Sequence, residues 1–191
     1  MSMTRRFLLA SSLARLIQQE RGGRQITEGY FPEQSGRSSC VRLDGRTGWL
    51  ILVDQEPERP LEDVAEIPRA HAEALLAVTT AEVAYFRATL SLGPYEAHVS
   101  RILAPSPLDL VDVTFPSEQE ARVFTIPAWF GPEVSADLRY RNQSLATGGS
   151  VAAADLPLTD EALHRVLDCL EIRMALPRPQ RSQATGASTA G

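Results

Sequence analysis

No lysine occurs among the 191 residues; all 19 basic side chains are arginine. That excludes chemistry that needs a lysine amine: a Schiff base, a P-loop phosphate grip or an amine general base. Any anion must be held by the planar, permanently charged guanidinium fork. Cysteine is scarce too. Cys40 and Cys169 lie far apart, match no metal spacing and supply no disulfide framework, which predicts a reducing, cytoplasmic setting. His71, His98 and His164 are scattered, with no HExxH pair for zinc. No apolar run reaches the ~18 residues of a membrane helix. The opening Phe7-Leu8-Leu9-Ala10 is too brief for a signal-peptide core and reads as folded protein. With a net charge of −5 and neither a basic stripe nor a basic amphipathic helix, neither nucleic acid nor a membrane is expected as partner.

What is present is ordinary globular material, 43% hydrophobic and 23% charged, at a length that suits one domain. Residues 7–9 read as a strand start. Ser12 ahead of Leu13, Leu16 and Ile17 predicts a helix over 12–20, stopped by Gly22-Gly23. Residues 25–31 alternate as a strand. A hairpin follows, with strands 39–43 and 49–54 around Asp44-Gly45-Arg46-Thr47-Gly48. Residues 62–67 are extended, and Pro68 introduces a helix with the stripe Ala72, Leu75, Leu76 and Val78. Strands 83–92 and 95–103 flank Gly93-Pro94, and 108–115 is a further strand. Ser117 and Glu120 form a capping box for a short helix. Residues 127–132 make a turn and 138–147 are extended or irregular. Thr159 caps a helix striped by Leu163, Val166, Leu167, Leu170 and Met174, within an expected barrel-packing segment 151–176. The tail 177–191 is low in apolar residues and expected to be disordered.

Hairpin-linked strands plus a few helices give an α+β class. Several strands carry polar residues, among them Arg42, Arg87 and Asp112, on what would be a two-sided sheet. A sheet exposed on both faces is prone to slip and aggregate. A closed barrel with a charged interior and helices outside resolves the conflict, and a lumen lined by guanidiniums suits a polyanion.

The order of motifs resembles the CYTH family, the triphosphate tunnel metalloenzymes, over about residues 2–146. Pro127-Ala-Trp129-Phe-Gly131-Pro-Glu133-Val134-Ser135 followed by Asp137-Leu-Arg139-Tyr140-Arg-Asn142-Gln-Ser-Leu145 is similar to the family's P-x-W-L-G-x-E-V-T … D-x-R-Y-x-N-x-x-L segment. Ile26-Thr-Glu28-Gly29-Tyr30-Phe31 resembles I-x-Q-G-Y-L, Val41-Arg42-Leu43 resembles R-V-R-L, and Glu66-Ile67-Pro68 resembles a strand-to-helix junction, E-Y-E-I-P. The resemblance implies a closed eight-stranded antiparallel β-barrel over residues 1–150. It implies a lumen in which arginines hold a triphosphate and acids hold Mg²⁺ or Mn²⁺.

On the same alignment the chemistry is thinned. The family's opening Glu-x-Glu-x-Lys reads Ser2, Thr4 and Arg6; lumen charges are replaced at Cys40, Val53, Val64, Tyr85, His98 and Thr114. The resemblance leaves Arg6, Arg42, Arg87 and Arg139 as phosphate ligands and Glu62, Asp112 and Glu133 as metal ligands. Plainer alternatives stand beside these. Asp112 could neutralise Arg42 or Arg87, and Arg139 could simply pair with Asp137. Two functional readings follow. One is a CYTH-like protein that binds a phosphate-rich anion, triphosphate or nucleotide, with weak or absent catalysis. The other is a divalent-metal-dependent triphosphatase, with an adenylyl cyclase ranking behind it. The expected partner is a small phosphorylated anion, and a homodimer is left open.

Overall fold

The computed structural model describes residues 2–34, 36–54, 61–148, 151 and 156–171. Its elements run β1 (Met3–Leu8), α1 (Ser11–Arg21), β2 (Arg24–Tyr30), β3 (Arg37–Asp44), β4 (Thr47–Asp54), β5 (Leu61–Ile67), α2 (Arg69–Leu76), β6 (Ala81–Leu92), β7 (Tyr95–Ala104), β8 (Leu108–Phe115), α3 (Glu118–Val123), α4 (Asn142–Ala146) and α5 (Asp160–Glu171), with a 3-10 turn at Leu138–Tyr140 before α4. The eight strands form one antiparallel sheet in the order β1-β8-β7-β6-β2-β3-β4-β5. The hairpins are placed by turn chemistry: Gly45 and Gly93 sit at φ +59° and +62°, where a side chain would be strained.

Two faces separate by strand alternation. On the outer face Phe7, Val99, Val111, Val113 and Leu90 are buried beneath Leu13, Ala14 and Ile17 of α1 and Ala162, Val166 and Leu170 of α5. Of the sequence-predicted stripes, Leu13, Ile17, Val166 and Leu170 are buried in this contact, Leu16 and Leu163 pack against it partly buried, and Leu167 is not part of it; Met174, the last expected member, lies outside the described residues, as does the tail from 177. Thr159 Oγ1 caps α5 by accepting from the amide of Ala162 at 3.1 Å. Arg21 closes the other end of the pair, donating to the carbonyls of Cys169 and Leu170 at the C-terminal end of α5. The capping box at α3 differs in detail from expectation. Ser117 Oγ accepts from the Glu120 amide, but the Glu120 carboxylate accepts from the Ser117 hydroxyl and from Tyr95 rather than from the Ser117 amide.

The inner face carries a second apolar cluster. Leu8, Ile26, Val83, Tyr85, Ile102, Leu108 and Leu110 of the sheet pack with Val134, Leu145 and Ala146. The segment 138–147, expected to be extended or irregular, is therefore helical: the 3-10 turn and α4 present Leu145 and Ala146 to the sheet as one short ridge. An extended run would have placed those two neighbours on opposite sides.

The expected closure of the sheet into a barrel is not found. β1 and β5 end the strand order and do not pair with each other. The free edge of β1 is instead taken by the Trp-Phe-Gly-Pro segment. Gly131 N donates to Leu8 O at 2.9 Å, Leu8 N to Pro132 O at 3.0 Å and Val134 N to Arg6 O at 2.8 Å, and Phe7 bridges Glu133. With its backbone groups satisfied there, β1 offers no ladder for β5. β5 stays an edge whose Glu62, Asp63 and Glu66 are exposed, the charged edge that discourages pairing with another chain.

The outer face over β2–β4 is set by two glycines beneath α2. A Cβ on Gly48 would stand 2.5 Å from Ala72 Cβ and 2.9 Å from Ile67 O, and one on Gly29 would meet Leu76 and Thr79. At Gly48 neither clash can be relieved by turning the tip of a flexible side chain. Gly48→Ala should lower the unfolding free energy by about 1–3 kcal/mol, the range for overpacking; urea titration of both proteins measures it, and an unchanged midpoint would show that α2 is free to lift off.

Candidate functional site

Alternation along β2 places Ile26, Glu28 and Tyr30 on the inner face, and register brings Glu28 beside Arg42 of β3 and Ile26 beside Tyr85 of β6. Glu28 is 1% exposed. Its carboxylate is fully engaged: Oε1 accepts from Arg42 Nε at 2.8 Å and Tyr85 OH at 2.7 Å, and Oε2 from Tyr30 OH at 2.7 Å and Asn142 Nδ2 at 3.0 Å. Burial pushes its pKa up, but the Arg42 charge and the hydrogen bonds from Asn142, Tyr30 and Tyr85 outweigh it and hold the carboxyl below its ordinary range. Burial and the Glu28 charge raise both tyrosines, so their hydroxyls remain donors throughout the neutral range.

A second ion pair lies across β1 and β8. Arg6 Nε and Nη2 grip Asp112 Oδ1 and Oδ2 at 2.7 and 2.9 Å in a bidentate fork. The remaining nitrogen of Arg6 donates to the Tyr140 carbonyl and, at 3.2 Å, to Asn142 Oδ1. Burial would depress the Arg6 guanidinium, but Asp112 reverses that and raises it. Asn142, the first residue of α4, thus touches both pairs: its oxygen faces Arg6 and its nitrogen faces Glu28.

Arg87 differs. It stands opposite Arg24 on β2 and Ser100 on β7, and among the described residues no carboxylate pairs with it. Its Nε reaches Ser100 Oγ only at 3.4 Å, and its guanidinium lies over the Tyr85 ring at 5.1 Å. His98 completes this end, opposite Asp112 and Thr89, with Nδ1 3.2 Å from Thr89 Oγ1. Burial and then the Arg87 charge lower its pKa, which favours the neutral imidazole.

The other expected site residues lie apart. Glu133 pairs with Arg5 at 2.6 Å, on the opposite face of β1 from Arg6 and Asp112. Arg139 pairs with Asp137 at 2.6 Å on the surface. Glu62 is exposed on β5, opposite Val53. Among the described residues no three His, Cys, Asp or Glu side chains stand close enough to share a metal ion. Both oxygens of Asp112 are taken by Arg6. This donor set does not fit Mg²⁺ or Mn²⁺, which needs carboxylate oxygens converging on open space. Cys40, on the same face, has its thiol pushed up to about 11 by burial and by Glu28, and is not a nucleophile. A cavity of about 570 Å³ lined by Phe31, Ser38, Val53 and Asp63 lies at the β3–β5 end, and Arg6, Arg42, Arg87 and Asp112 are not among its lining residues.

Sequence reasoning missed Glu28, Tyr30 and Asn142 as site residues. The signal was present in Ile26-Thr-Glu28-Gly29-Tyr30: an acid where the family motif has a glutamine, at inner-face alternation between an isoleucine and a tyrosine.

No family model matches the chain. A curated inorganic triphosphatase of Nitrosomonas europaea is 56% identical over 41 residues, 22% of this chain and 27% of that protein. The chain thus matches about a quarter of that relative's length. A solved structure of an inorganic triphosphatase superposes with a TM-score of 0.59 at 25% identity, covering 79% of this chain and 96% of its own. A candidate adenylate cyclase from Bacillus halodurans, at 12% identity and a TM-score of 0.50 over 86% of this chain and 96% of its own, is similar in fold. The CYTH resemblance drawn from the sequence therefore holds.

Glu28 gives this site a pH signature. Its folded pKa lies below the unfolded value of about 4.3, so its contribution to stability is complete above that pH and is lost as pH falls towards the folded pKa. Glu28→Gln should cost about 1–3 kcal/mol at pH 7, where buried donors lose a charged acceptor. The gap between wild type and variant should narrow below pH ~4.3 in denaturant titrations; a gap that widened on acidification would contradict this assignment.

Proposed function

We propose that this CYTH-like chain binds a phosphate-rich anion, a triphosphate or nucleotide, at the Arg87 end of its inner face, with weak or absent hydrolysis. The observation that carries this reading is the charge balance of Arg6, Arg42 and Arg87: the first two are answered by Asp112 and Glu28, and among the described residues no carboxylate answers Arg87. Arg87 is half-buried beside the hydroxyl of Ser100 and the neutral ring of His98, where a guanidinium and its neighbours can receive phosphate oxygens. Weak or absent hydrolysis follows from the donor set. Phosphoryl transfer depends on metal and cationic stabilisation of the phosphate oxygens, and Asp112 is committed to Arg6. Its two cysteines, both free thiols, are consistent with a reducing compartment such as the cytoplasm.

A second reading, a divalent-metal-dependent triphosphatase, is favoured by one finding: the inorganic triphosphatase of Nitrosomonas europaea shares 56% of 41 aligned residues with this chain. The two readings separate experimentally. Titration calorimetry with tripolyphosphate should give binding in wild type, weakened about tenfold to a hundredfold in Arg87→Ala, the loss expected for one charge-assisted hydrogen bond. A phosphate-release assay at high protein concentration with Mg²⁺ or Mn²⁺ should stay at buffer level. Robust turnover would replace the binding reading by the enzyme reading, and equal affinity in the variant would remove Arg87 from the site.

A further inference from the structure

The cage around Glu28 has the composition of an anion site. It comprises a guanidinium from β3, phenol hydroxyls from β2 and β6 and a side-chain amide from α4, all donating inward to one centre within 2.7–3.0 Å. Donors of this kind converging from four elements are what a protein assembles to hold the oxygens of a phosphate. Here the oxygens belong to the chain itself. We propose that Glu28 is a built-in occupant of this anion cage, a carboxylate that withholds Arg42, Tyr30, Tyr85 and Asn142 from any external anion and so determines how much of a polyphosphate the inner face can take.

This deepens the binding reading above and rests on it. Arg42 is withheld rather than sequestered: its side chain is 37% exposed, whereas Glu28 is buried. Removing the carboxylate charge while keeping its shape would leave Arg42 uncompensated at the boundary of the face. The same charge that satisfies the cage repels a second anion beside it, because like charges a few ångströms apart in a poorly solvated setting disfavour each other strongly. A polyphosphate entering at Arg87 therefore meets one free guanidinium, not two. Selection follows: a single terminal phosphate is accepted, and the added charges of a longer polyphosphate find no further cation.

The test is competitive calorimetry with inorganic phosphate and tripolyphosphate on full-length wild type, Glu28→Gln, Glu28→Ala and Glu28→Gln/Arg42→Ala. Wild type should bind the two anions with affinities within a few-fold of each other. Glu28→Gln should bind tripolyphosphate about tenfold more tightly than wild type, the worth of one charge-assisted hydrogen bond from the released Arg42, and the added Arg42→Ala should abolish that increase. Glu28→Ala removes the same charge and should tighten tripolyphosphate binding likewise, so it serves even if Glu28→Gln fails to fold. No tightening in either Glu28 variant overturns the self-occupied cage while wild-type binding at Arg87 stands. Absence of binding by wild type together with indifference to Arg87→Ala would instead overturn the binding reading itself.

Discussion

One buried carboxylate organises the inner face. Glu28 is almost wholly shielded from solvent, and an ionised acid so placed is tolerable only when each oxygen is answered. The answers come from β2, β3, β6 and α4, elements distributed along the whole chain. The register between β2 and its two neighbours, the position of α4 and the protonation of two tyrosines all depend on that demand. Removing one donor does not merely delete a hydrogen bond; it leaves part of a charge unpaired in a dry setting.

Much of this architecture is legible in the sequence, and the boundary is physical. Strands and outer helices announce themselves by period, and the stripes Leu13–Ile17 and Val166–Leu170 are legible because local periodicity and burial coincide there. Glu28 is harder. A lone acid in an alternating strand is usually solvated, and only the placement of Tyr85 and Asn142, 57 and 114 residues away, makes it a hub. The 3-10 turn and α4 escape because Asp137-Leu-Arg139-Tyr140 has no apolar period; its conformation follows from the inner-face cluster that Leu145 and Ala146 complete.

The open sheet is a related case. Polar residues on both faces of the strands point to barrel closure, and that inference captures the need to cover the inner face. It does not foresee the cover. Residues 131–134 claim the edge of β1, and Val134, Leu145 and Ala146 fill the hollow near Leu8, Leu110 and Tyr85. A short helical plug therefore stands where closure is expected, its Leu145 and Ala146 packed on the apolar cluster and its Asn142 bonded to both Arg6 and Glu28. The candidate metal ligands are dispersed by the same arrangement, since Glu133 follows the segment to the far side of β1.

The arginine-only lining has a last consequence. A guanidinium keeps its proton at every pH a cell visits, so the arginine charge of this face is a fixed quantity and only its acids and His98 can respond. The response has one direction. Acidification neutralises the carboxylates and turns a nearly balanced surface into a strongly positive one, whereas alkalinity has nothing to subtract. A lysine-lined surface would lose cations at the alkaline end; this one keeps every guanidinium there, so its attraction for anions is set by how many of its carboxylates are ionised.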